Sequence, residues 1–172
     1  MANQHLDFQK VRGLDCHTCN ISSCQSSRGF FRTPISALDV ELKGLDPQFL
    51  EWDYDVGLYR IPRRVDGTCI YYGHSLSKCV LSVEERPNPC LVYPVRVYKP
   101  SNDKATQVIL HMKCPSSLAL FDLYARREPS VVNYIKNAVH IFAWDHDFRE
   151  FVLKQTKDFD KLLKIGPITD FM

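Results

Sequence analysis

A change of period near residue 115 constrains this chain more than any other feature. Before it, apolar residues alternate as strands require. After it, they recur every three or four positions, as helices require. "CLVYPVRVYK" places Leu91, Tyr93, Val95 and Val97 on one face, with Pro94 marking an edge or a bulge. "TQVILHMKC" follows the turn residues "PSND" at 100–103, so the two runs should pair as a hairpin. "LYRIPRRV" and "TCIYYGH" flank Asp66-Gly67, a strong hairpin signal. "KCVLSVEE" sets Val80, Ser82 and Glu84 against Cys79, Leu81 and Val83, a further alternating run. Residues 36–45, "SALDVELKGL", suit either a short strand or a helical turn.

Beyond residue 115, "SSLALFDLYARR" offers a serine cap, and "SVVNYIKNAVHIFAW" puts Val131, Ile135, Ala138 and Phe142 on one stripe. "DFREFVLKQTKDFDKLLKI" opens with Asp147 and Glu150 at capping-box spacing. It should bury Phe151, Phe159, Leu162 and Leu163 and stop at Gly166-Pro167. Strands followed by helices predict an α+β fold: a mostly antiparallel sheet over about 58–114, then two or three C-terminal helices. The 172 residues suit a single domain, with a cysteine-bearing N-terminal loop at 1–34, a sheet region at 36–114 and a helical region at 115–166.

The opening residues lack an apolar signal core, and no uncharged apolar run approaches the ~18 residues of a membrane span. The expectation is a cytoplasmic or nuclear protein that needs no membrane. Its formal net charge of +2 is too small to imply a polyanionic partner by itself.

Seven cysteines in a reducing compartment argue against a disulfide framework. They leave metal ligands, a reactive thiol or buried apolar side chains. "CHTCNISSC" brings Cys16, Cys19 and Cys24 within nine positions. A C-x2-C pair can give zinc two tetrahedral ligands from one tight turn, with Cys24 as a third. The spacing resembles the opening of a retroviral-type zinc knuckle, C-x2-C-x4-H-x4-C. Cys24 stands at the histidine position and Gly29 at the last cysteine, so the family is not carried over. His111 and Cys114, the H-x2-C pair of "HMKC", would complete a closed structural zinc site.

Three other constellations compete. Cys114 precedes a helix, where terminal amides could acidify a nucleophilic thiol. Asp145, His146, Asp147 and Glu150 could gather a metal or a proton; as a surface cluster around a helix cap they do neither. Together these support a thiol- or metal-dependent hydrolase as the alternative function. Arg60, Arg63 and Arg64, with Tyr71 and Tyr72 across the hairpin, suit the phosphates and bases of single-stranded RNA. Nearby acids blunt that field. The irregular segment "FLEWDYDVGLY" offers Phe49, Trp52 and Tyr54 as anchors for a protein partner, since aromatic residues dominate interface hot spots. With no catalytic signature, the expected function is a zinc-stabilised binding or regulatory module contacting protein or RNA. Viral accessory proteins include chains of this type.

Overall fold

The computed structural model describes residues 34–76, 78–82, 84–100, 105–111, 114, 116–155 and 163–172. These fall into two compact units, one ending at Leu91 and the other starting at Val92.

The first unit begins with strand β1 (Pro34–Ile35) and helix α1 (Ala37–Leu42). Residues 36–45 become a helix because both ends are capped. The Ser36 hydroxyl accepts the Asp39 N–H at 3.0 Å. At the other end Gly44 takes a left-handed φ of 61°. Gly44 N–H donates to the Glu41 carbonyl, and Leu45 N–H to that of Val40, a Schellman stop that a strand has no use for. A 3-10 turn (Pro47–Phe49) leads to strands β2 (Glu51–Asp53) and β3 (Leu58–Arg60). The turn between them closes at Gly57, whose φ of 67° would strain a side-chain-bearing residue. β3 lies between β1 and β2, antiparallel to both. Ile35, Val40, Leu45, Leu50 and Ile61 form the buried centre, with Tyr59, Cys69, Ile70, Tyr71 and Leu81 packed around it.

The Asp66-Gly67 turn forms, with Gly67 at φ 80° and the Asp66 carboxylate accepting both the Thr68 N–H and its hydroxyl. Its predicted arms do not continue as a ladder. They meet only at the Arg63–Cys69 bridge. Pro62 has no N–H to give, and Leu58–Arg60 is already paired on both sides. The second arm instead supplies β4 (Tyr72–Gly73), which pairs with β5 (Lys78–Cys79). The expected strand through 85 ends there. Ser82 N–H donates to the Glu85 carboxylate, and Glu85 N–H to the Ser82 hydroxyl, folding the chain into a turn. Helix α2 (Asn88–Val92) replaces the first half of the strand expected from Cys90.

In the second unit the expected hairpin is present. β6 (Val95–Tyr98) and β7 (Gln107–Leu110) run antiparallel from Val95↔Leu110 to Tyr98↔Gln107. Val95, Val97, Val108, Ile109 and Leu110 are all buried. Helices α3 (Ser117–Ala125), α4 (Pro129–Trp144) and α5 (His146–Gln155) follow. The stripe Val131, Ile135, Ala138 and Phe142 is fully buried, and Phe142 stacks on Phe148 with ring centroids 5.2 Å apart. The cap of α5 is Asp145 rather than Asp147: its carboxylate accepts the Phe148 N–H at 3.2 Å. Residues 163–167, read as the end of that helix, form strand β8 (Leu163–Pro167) on the open edge of β7. Leu163 and the Gly166-Pro167 pair therefore belong to a sheet. Phe159 and Leu162 lie outside the described residues. The class is α+β with small antiparallel sheets, but helices and strands are interleaved rather than segregated. No helix among the described residues is long and apolar enough to cross a membrane.

Candidate functional site

Among the described residues, the β2–β3 hairpin carries the most exposed aromatic group of the first unit. Trp52 sits directly opposite Tyr59 in the ladder. Tyr54, the first residue of the turn after β2, brings its ring beside that of Trp52. The rings of Trp52 and Tyr59 meet edge to face with centroids 4.8 Å apart. Those of Trp52 and Tyr54 stand at 86° to each other, 6.4 Å apart. Tyr59 is partly buried against the core and fixes Trp52 from below. Trp52 itself is 41% exposed, Tyr54 88% and Phe49 63%. Phe49 occupies the preceding 3-10 turn, held open to solvent by Pro47 and by the Asp46 carboxylate, which accepts the Gln48 N–H at 2.9 Å.

On the alternate positions of the hairpin, Asp53 receives two bonds from the Arg60 guanidinium, 3.0 Å from Nε and 2.9 Å from Nη2. Burial raises the Asp53 pKa. The Arg60 bonds and charge, with the N–H groups of Asp55 and Val56, outweigh it and hold the carboxyl below its ordinary value.

The arginines expected to meet phosphate are engaged within their own unit. Arg63 Nη1 donates to the Gly67 carbonyl at 2.6 Å. Arg64 reaches the Tyr72 carbonyl at 2.7 Å through Nη1 and the Ile70 carbonyl at 2.6 Å through Nη2, with the Cys69 carbonyl at 3.2 Å. Tyr72 is buried, and Tyr71 packs against the core cluster. Burial also pushes the Cys69 thiol pKa up. These residues form a clasp that ties the 64–72 loop together.

Of the expected metal ligands, Cys16, Cys19 and Cys24 lie outside the described residues. His111 is buried, with Nδ1 3.2 Å from the Tyr93 hydroxyl, and its carbonyl accepts the Cys114 N–H and the Ser117 hydroxyl. His111 and Cys114 are thus joined by a backbone hydrogen bond. Among the described residues no group of three or more His, Cys, Asp or Glu is placed to hold a metal ion. The Asp145–Glu150 stretch does not converge. Asp145 is buried as a helix cap, while His146 and Glu150 each face Arg149. The aromatic partner that sequence reasoning missed is Tyr59; its place opposite Trp52 depends on register, which the hydrophobic pattern of three-residue strands leaves open. Comparison with protein-family models, with curated proteins and with solved structures finds no match to this chain.

Proposed function

We propose that this chain is a binding or regulatory module that contacts a protein partner through Phe49, Trp52 and Tyr54. The observation that carries this reading is the exposed right-angled pair of Trp52 and Tyr54 on a hairpin otherwise anchored to the core. Large exposed aromatic side chains lose solvation-driven stability until a partner covers them, and such residues supply most hot-spot energy in interfaces. Single-stranded RNA is the weaker reading, because Arg60, Arg63 and Arg64 already donate to acceptors of their own unit. A photo-crosslinking residue at position 49 or 54, introduced in cells, should capture one identifiable protein that the same probe at exposed Lys136 does not. Trp52→Leu should abolish that capture. Crosslinks to RNA alone, or equal capture from position 136, would reject the reading.

A zinc ion held by Cys16, Cys19 and Cys24 is part of the same proposal, supported by their spacing. Thiolate-rich sites of this kind contribute about 10–16 kcal/mol of apparent binding energy in small domains. Freshly purified, reduced protein should therefore carry zinc in near-stoichiometric amount by elemental analysis, and Cys16→Ser or Cys19→Ser should lower it. Protein carrying neither zinc nor iron would end the zinc assignment and leave the aromatic face untouched.

A further inference from the structure

We propose that Cys69 and Cys79 are a redox modification site, closing to a reversible disulfide when hydrogen peroxide oxidises them. The site does not rest on the partner-binding reading above. Ten positions apart in the chain, the two cysteines meet at the same residue, Tyr72. The Tyr72 N–H donates to the Cys69 carbonyl at 2.9 Å, closing a tight turn. Cys79 stands directly opposite Tyr72 in the β4–β5 ladder. The Val80 N–H, donating to the Tyr71 carbonyl at 2.8 Å, holds that register. Cys69 is fixed from further sides. It bridges to Arg63, and its carbonyl also accepts from Arg64 Nη1 at 3.2 Å. β5 is two residues long in a sheet of two strands, so it is the side that adjusts when the bond closes.

Both thiols are free and partly accessible. Burial is the main cause that pushes the Cys69 and Tyr71 pKa values up, and negative charge on Cys79 adds to both, so the three groups share one electrostatic neighbourhood. Cys69 packs against the core cluster and stays protonated at neutral pH, which makes it slow toward an oxidant by itself. Cys79 therefore takes the first step. Its sulfur attacks one peroxide oxygen, the O–O bond breaks, and the departing hydroxide takes the thiol proton as water. This leaves a sulfenic acid, which condenses with a neighbouring thiol. The Cys69 sulfur then attacks the Cys79 sulfur, the S–O bond breaks, and the Cys69 proton leaves with the hydroxide as a second water. Two thiols lose two electrons and two protons, and one peroxide becomes two waters. In a reducing compartment such a bond is transient, as redox-sensing disulfides are. It would fasten β5 to the loop that Arg64 clasps.

Treating the whole chain with a small molar excess of hydrogen peroxide, blocking remaining thiols with iodoacetamide and digesting without reductant tests this. Mass spectrometry should find two peptides joined through Cys69 and Cys79, lighter by the two lost hydrogens and separated by dithiothreitol. In Cys69→Ser, Cys79 should stop at the sulfenic acid, which dimedone traps. In Cys79→Ser, Cys69 should become several-fold slower to oxidise. An unchanged circular dichroism spectrum verifies that each variant is folded. Alkylation of both cysteines after peroxide treatment of the unaltered chain, or a bond from either one to a different cysteine, would overturn the site. Equally fast oxidation of Cys69 in Cys79→Ser would overturn the order of steps and, with it, the pairing of the two thiols.

Discussion

Phe142→Ala should destabilise the second unit by about 3–5 kcal/mol, the usual cost of deleting a fully buried phenylalanine ring. Phe142 is completely covered and stacks at 17° on Phe148, so its loss removes both buried area and an aromatic pair that joins α4 to α5. The surrounding helices can relax only partly around the void. Phe142→Leu should recover most of the loss. Trp144→Ala, two residues on and 41% exposed, should cost below about 1 kcal/mol. Urea unfolding followed by helical circular dichroism checks all three. Equal midpoints for Phe142→Ala and Trp144→Ala would contradict the packing described.

Asp39→Ala should cost the first unit about 2–3 kcal/mol, because it withdraws the acceptor from a buried donor. Asp39 is fully buried on α1, and its carboxylate accepts the Asn88 N–H at 2.7 Å, tying together chain segments 49 residues apart. Without the carboxylate, the Asn88 N–H stays buried away from water and loses its partner. Ser36→Ala should cost less, about 1 kcal/mol, since it loses only the cap that accepts the Asp39 N–H. The two losses should not add, because both act through residue 39. Hydrogen exchange at the Asn88 amide gives a local readout. Exchange unaltered by Asp39→Ala would mean that the contact contributes little.

The elements that were legible are those whose pattern is local and long. The α4 stripe spans about three turns, so Val131, Ile135, Ala138 and Phe142 could only share one face, and that face is buried. The β6–β7 hairpin was legible for a similar reason: two alternating runs separated by turn residues have one economical pairing. Short segments misled. Residues 90–92 and 163–167 carry too few positions to separate a helix period from a strand period. Gly166-Pro167 is a sound helix stop in isolation, yet it also fits the outer strand of a sheet, where a missing N–H is tolerated.

The candidate face was half legible. Phe49, Trp52 and Tyr54 stand out in the sequence because they break any clean amphipathic period. That Trp52 meets Tyr59, and that Tyr54 stands at a right angle to Trp52 from the turn, is decided by the folded hairpin. The arginines show the reverse. Arg60, Arg63 and Arg64 look like a phosphate-binding triplet until their neighbours in space are known. Nothing in "YRIPRR" states that Arg64 will meet the carbonyls of Cys69, Ile70 and Tyr72.

By itself, then, the sequence determined the α+β class, the buried stripe of α4, the β6–β7 pairing and the acidic, aromatic character of residues 46–57. Each depends on the order of side chains within one stretch, where the backbone period decides which face they share. Only the tertiary structure decided that β8 returns to the edge of β7, that Asp39 holds Asn88, and that the arginines turn inward while Trp52 and Tyr54 face solvent. Those outcomes join residues far apart in the chain. Their energies come from burial and from satisfying polar groups at a meeting point that no local window contains.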